Sequence, residues 1–206
     1  MKLIILGLVI AMCAVASVTT AAPITYTAPV NCPSCQGGIY TLTYDPLTSL
    51  YGNTWEVILG IDTSGYTGGG VAIDAVAVKM SSSVSGTALE FAPNGAGSWA
   101  LVPGGINAAG CSGTGSGFEC AEWAASGAGI PVIAGSYNWG FLITLPDGIT
   151  PLLDGGSIKA RYVDAQGNKV GDLVSTNVTT VPEPASLLLL STGLLGAGIA
   201  ARRRKR

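Results

Sequence analysis

The side chains of this chain best suited to chemistry gather in one short stretch, Phe118 to Trp123, where Glu119 and Glu122 stand beside Trp123. Two carboxylates next to a sugar-stacking aromatic are the minimum equipment of a glycosidase, which needs one acid and one base or nucleophile at the correct separation. Other catalytic routes are closed. None of the 206 residues is histidine, which removes Ser-His-Asp and Cys-His catalysis and every histidine metal site. The Gly-rich stretches lack the Lys-Ser/Thr pair that completes a phosphate-cradling loop. A simpler role competes with catalysis at Glu119 and Glu122: two acids that keep a loop solvated. Two neighbouring acids are a weak signal, and the simpler role is preferred, so no catalytic residue is assigned.

The four tryptophans invite a carbohydrate-binding reading, because exposed aromatic faces stack on sugar rings. Trp55 and Trp139 lie within apolar stretches and belong to a core. Trp99 and Trp123 flank a Gly-rich interval and are the candidates for facing a ligand, although packing beneath that interval is the preferred role even for them. Asp62, Asp74, Asp147, Asp154, Asp164 and Asp172 fall in or beside expected turns, where aspartate serves the backbone. Calcium stays open as a ligand of some of them, although no D-x-D-x-D-G loop occurs. No other cofactor and no metal site is expected.

Five cysteines occur, and Cys13 sits in an apolar leader, so four would remain after export. An even number in an oxidising compartment is the pattern of disulfides. Of the three pairings, the local one is preferred: Cys32 with Cys35, and Cys111 with Cys120. The rival for Cys32-Pro-Ser-Cys35 is a redox-active dithiol, which requires a strand-to-helix context that the sequence does not offer. A four-cysteine zinc site is weaker still, since the paired C-x-x-C spacing is missing.

The elements that must position these residues are short strands. Alternating or β-branched segments span 39–45, 54–62, 71–80, 86–92, 98–103, 138–146, 157–164 and 168–176. About eight strands joined by turns, with no convincing amphipathic helix, predict a mainly β chain: one antiparallel β-sandwich of jelly-roll or Ig-like type over residues 23–180. The stretch 163–171 predicts a hairpin with Gly167 at its turn. Between about 93 and 135 the pattern lapses into a Gly-rich loop, long for a compact domain and stapled by Cys111 and Cys120.

The two ends differ from this body. Residues 1–22, with Lys2 ahead of an apolar run and small residues before Pro23, have the layout of a secretory signal peptide. Signal peptidase and the general secretion machinery are the partners this implies. From 23 to 180 only Lys79, Lys159, Arg161 and Lys169 are basic, against eleven acids. Such a body cannot build the basic face that nucleic acid requires. The other cations close the chain: Arg202, Arg203, Arg204, Lys205 and Arg206 follow an uncharged run, 185–201. That run makes a helix of about 25 Å, at the short limit for a hydrocarbon core of about 30 Å. The basic cluster would hold the C-terminus in the cytoplasm and leave the body outside.

Pro182 and Pro184 keep the joint before this helix extended around Glu183. Pro-Glu-Pro, a short Leu/Gly-rich helix and a terminal Arg-rich cluster, in that order over Val181 to Arg206, resemble the PEP-CTERM sorting signal of Gram-negative bacteria that make exopolysaccharide. The resemblance implies that Pro182, Glu183 and Pro184 are recognised by an exosortase, a membrane-embedded cysteine transpeptidase-like protease. The helix would be removed and the body delivered to the cell surface or matrix, with exopolysaccharide as a candidate partner. A structural or adhesive matrix component is the leading expectation, a carbohydrate-binding module the second and a glycoside-active enzyme the third.

Overall fold

A period of two decides which face of each strand is buried, and in this chain that period is carried by aromatic and β-branched residues. In the computed structural model, which describes residues 24–28, 32–47, 53–79, 81–112, 114–149, 156–170 and 174–180, Tyr40, Leu42 and Tyr44 alternate with threonines along one strand. Val57, Leu59 and Ile61 alternate with Glu56, Ile58 and Gly60 along the next. The strands among the described residues are β1 (Ile24–Thr27), β2 (Ile39–Pro46), β3 (Thr54–Asp62), β4 (Ala72–Lys79), β5 (Gly86–Phe91), β6 (Trp99–Pro103) and β7 (Ile106–Asn107). They continue with β8 (Gly110–Cys111), β9 (Phe118–Trp123), β10 (Ile130–Pro131), β11 (Ser136–Thr144), β12 (Ser157–Val163), β13 (Val174–Asn177) and β14 (Thr179–Thr180).

All pairings are antiparallel. One sheet runs β14-β1-β2-β3-β11-β5 and the other β13-β12-β4-β9-β6, with β10 continuing the β9 side of β4 and β7-β8 forming a separate hairpin. Side chains from both sheets share one core, the packing of a sandwich. Trp139, Tyr26, Tyr40, Tyr44, Tyr162 and Phe141 are its largest fully buried members. Each contributes about 1.5–3 kcal/mol by leaving water. Two of their polar ends meet across the core: the Tyr40 and Tyr162 hydroxyls, one from each sheet, hydrogen-bond at 2.6 Å, whereas the buried Trp139 indole nitrogen has no hydrogen-bond partner. The only helical elements among the described residues are two 3-10 turns, Pro33–Cys35 and Ala96–Ser98.

Seven of the eight expected strands appear within two residues of their expected ends. Of the eighth, 168–176, the described residues form a strand from Val174 to Asn177. The first part of that segment is the far side of a turn, in which Asp164 Oδ1 accepts the Gln166 and Asn168 amides and Gly167 adopts φ 82°. Val163 and Lys169 then form an isolated bridge. The larger correction concerns 93–135. It is not one long loop, because β9 lies there in the middle of the second sheet, between β4 and β6. The expected terminal helices, 1–22 and 185–201, lie outside the described residues. Among the described residues no helix is long and apolar enough to cross a membrane.

Candidate functional site

β9 determines what its two glutamates can do. Successive residues of a strand point to opposite faces, so positions 119 and 122, an odd number apart, cannot converge on one substrate. Glu122 turns outward with Phe118 and Cys120, and Glu119 turns inward beside Ala121 and Trp123. The pair that a glycosidase would need, already the less favoured reading of the sequence, is therefore split by the sheet. Neither residue is a loop acid either, since Glu119 is only 8 % exposed.

Glu119 lines a cleft of about 310 Å³ where the β5 edge of one sheet meets the β6 edge of the other. Val84, Ser85, Gly86, Thr87, Leu101 and Pro103 form its remaining walls. Burial pushes the Glu119 carboxyl up from its ordinary value, and the Thr87 hydroxyl offsets part of that rise. Among the described residues no cation pairs with it. The cleft offers one carboxylate among hydroxyls and apolar walls, a hydrogen-bonding niche with a single titratable group.

On the outer face of the second sheet the chain folds back on itself. Residues 104–117, carrying β7 and β8, form a flap over β4, β9 and β12, and Ile106 packs with Ala75, Ala77 and Cys120 in a second small core. The disulfide between Cys111 and Cys120 fixes the flap to β9. Gly110, at φ 126°, brings the flap so close that an added Cβ would collide with the Glu122 carboxylate. Cys111 donates its amide to Glu122 Oε1 at 3.4 Å.

Beneath the flap, Arg161 Nη1 meets Asp74 Oδ2 at 2.8 Å. A β-bulge makes the contact. The register of β12 on β4 shifts between Arg161 and Tyr162, so that Asp74 is an extra residue opposite the partner strand. Asp74 was expected in or beside a turn, and it lies inside β4. Desolvation pushes its carboxyl up to about 6; Arg161 opposes the rise and Glu122 adds to it.

The aromatics stand mostly as packing. Trp99 is 6 % exposed and sits between Trp123 and Trp139, edge-on to each at 5.4 and 5.5 Å between centroids. Its indole nitrogen donates to the Pro93 carbonyl at 2.9 Å. A sugar platform must present a face to solvent, which Trp99 does not. Trp123, half-buried and tied to the Ser126 carbonyl, keeps partial access. Trp139 is in the core as expected, and Trp55 is half-buried against it.

Cys32 and Cys35 are bridged across the 3-10 turn that joins β1 to β2. The local pairing of all four cysteines is thus the one preferred from the sequence. A largely apolar hollow of about 410 Å³ lies beside this bridge, lined by Thr27, Ala28, Gly38 and Ile39 among others. None of its described lining residues is titratable, since Cys32 and Cys35 are bridged. Among the described residues no three His, Cys, Asp or Glu side chains come together to hold a metal ion.

Both ends of the domain leave from one sheet edge, because β1 pairs with β14 in the register Tyr26 with Thr180 and Thr27 with Thr179. Pro182, Glu183, Pro184 and the cluster Arg202, Arg203, Arg204, Lys205 and Arg206 lie outside the described residues. The class these features define is an antiparallel, sandwich-like β-domain, stapled by two disulfides, whose last strand runs directly into a C-terminal segment of different chemistry. That segment matches the family model described as the PEP-CTERM protein-sorting motif, over residues 180–205. The chain carries a PEP-CTERM sorting signal at its C-terminus. No curated protein matches the chain.

Proposed function

We propose that this protein is exported, handled by an exosortase through Pro182, Glu183 and Pro184, and released to the surface or exopolysaccharide matrix of a Gram-negative cell. There its β-domain acts as a structural or adhesive component and not as an enzyme. The observation that carries the reading is the sorting-motif match over 180–205, which begins at the last residue of β14. The domain suits such a setting. Two local disulfides hold in an oxidising compartment and would each add up to about 3 kcal/mol against unfolding. The glycosidase alternative loses its geometric basis with Glu119 and Glu122 on opposite faces of β9.

The test is genetic. In cells lacking the exosortase the protein is expected to stay membrane-bound at the mobility of the chain that keeps its C-terminal segment. In the parent strain a shorter form leaves the membrane. Identical mobility and location in both strains would overturn the sorting reading.

A further inference from the structure

Of the four cations in the body, three stand on one surface. Lys159 and Arg161 alternate along β12 with the core residues Ile158, Ala160 and Tyr162, and Lys79 follows Val78 on β4, so all three project from the outer face of the second sheet. Arg161 is occupied by Asp74. The other two are not paired. Among the described residues neither Lys79 nor Lys159 meets a carboxylate, in a body where acids outnumber bases eleven to four.

What holds them is one ring. Lys79 Nζ lies 5.5 Å and Lys159 Nζ 4.8 Å from the centroid of Phe118, within the range of cation–π attraction. Phe118 is itself fixed, directly opposite Lys79 in the β4–β9 register and against Gly105 and Gly115 of the flap. Two ammonium groups drawn to the same ring repel each other, and among the described residues no carboxylate supplies a counter-charge. An anion bridging them would supply it at little entropic cost, because the ring already limits both side chains.

The geometry points to a binding site for an acidic polysaccharide, with one uronate carboxylate seated between Lys79 and Lys159. This inference rests on the matrix reading above for its biological setting, although its chemistry stands on these residues alone. A densely charged polyanion such as duplex DNA suits the place poorly, since only two cations face it and the acidic body repels the rest of the polymer. A polysaccharide carries sparser charge and many neutral hydroxyls. The adjoining flap offers hydroxyls in return: Ser112 and Thr114 lie side by side there, 3.3 Å apart.

The experiment is retention of the full chain, in detergent, on immobilised polygalacturonate. The basic tail binds polyanions by itself, so every protein tested has Arg202, Arg203, Arg204, Lys205 and Arg206 changed to Gln. This parent is expected to be retained at about 0.15 M salt and released as salt rises, as screened ionic contacts require. Lys79→Gln with Lys159→Gln should weaken retention by about tenfold, the scale of losing two charge-assisted contacts. Lys79→Arg with Lys159→Arg should restore it, which separates loss of charge from loss of fold.

Equal retention of the parent and the glutamine variant would overturn the site. So would equal weakening by glutamine and arginine, retention on neutral dextran, or equal retention on DNA at matched charge. Because binding is measured on purified protein, its failure would leave the sorting reading untouched.

Discussion

At the scale of single residues, Asp74 is where charge and burial conflict most directly. Its ion pair with Arg161 would ordinarily lower its pKa, yet desolvation and the nearby Glu122 outweigh the arginine and raise it from 3.8 to about 6. A carboxyl with a raised folded-state pKa favours the folded state while protonated. The contribution is fully present below about pH 4 and is lost as pH rises through about 6. Glu119 and Glu56 shift in the same direction, whereas Asp62 and Asp164, held low by backbone amides, act in the opposite sense and only below their ordinary range. The domain is therefore expected to resist urea better at pH 4.5 than at pH 7, and Asp74 should supply about 1 kcal/mol of that difference once solvent screening is allowed for. Urea titrations of the parent and of Asp74→Asn across that interval check it. The substitution should flatten the pH slope whatever it does to the midpoint at one pH, and an unchanged slope would remove Asp74 as its source.

At the scale of elements, the flap of 104–117 depends on one covalent link and a small apolar contact through Ile106. Replacing Cys111 and Cys120 together by Ala should cost about 2–3 kcal/mol, the value for a short loop, and lower the melting temperature by roughly 5–10 °C. The main core lies on the other side of the sheet and should survive. Limited proteolysis would separate the two effects, with new cleavage at the exposed turn Asn107 to Ala109 while the sheets stay intact. The same segment marks the limit of what the sequence disclosed. β2, β3, β11 and β12 were legible because each buries one face in a single core, which writes a plain alternation into the chain. β9 was hidden because it faces two differently lined spaces: Glu119, Ala121 and Trp123 on the inner side, Phe118, Cys120 and Glu122 under the flap. Its two acids disguise a central strand as a loop, and the two-residue strands of the flap are too short to show any period. Lys79, Phe118 and Lys159 escaped notice for a related reason. They come from three strands, and only the register of β9 and β12 on β4 brings them together. Trp99, for which packing beneath the Gly-rich interval was the preferred role and ligand contact the candidate one, is buried beside its strand partner Trp123.

At the scale of the whole molecule, charge is divided between two segments of opposite sign. The body from 23 to 180 holds eleven acids and four bases, and the last five residues are all basic, so a net charge of -2 conceals a strongly acidic domain joined to a cationic tail. The junction is sharp, because β14 ends at Thr180 and Pro182 follows after one residue. β14 is also paired with β1 at a sheet edge, so the point where the tail leaves lies beside the point where the body begins. Cleavage anywhere between Pro182 and the basic cluster would cut outside every described strand, leave both disulfides and the core in place, and discard all five terminal cations. The full chain has an isoelectric point of about 5.0. The released body should focus about one pH unit lower, since carboxylates alone then set its balance near that pH. Two-dimensional electrophoresis of membrane and released fractions would display this as a joint shift to lower mass and more acidic position. A released form that still focused near pH 5 would have kept its basic tail, and exosortase processing would then not be what frees it.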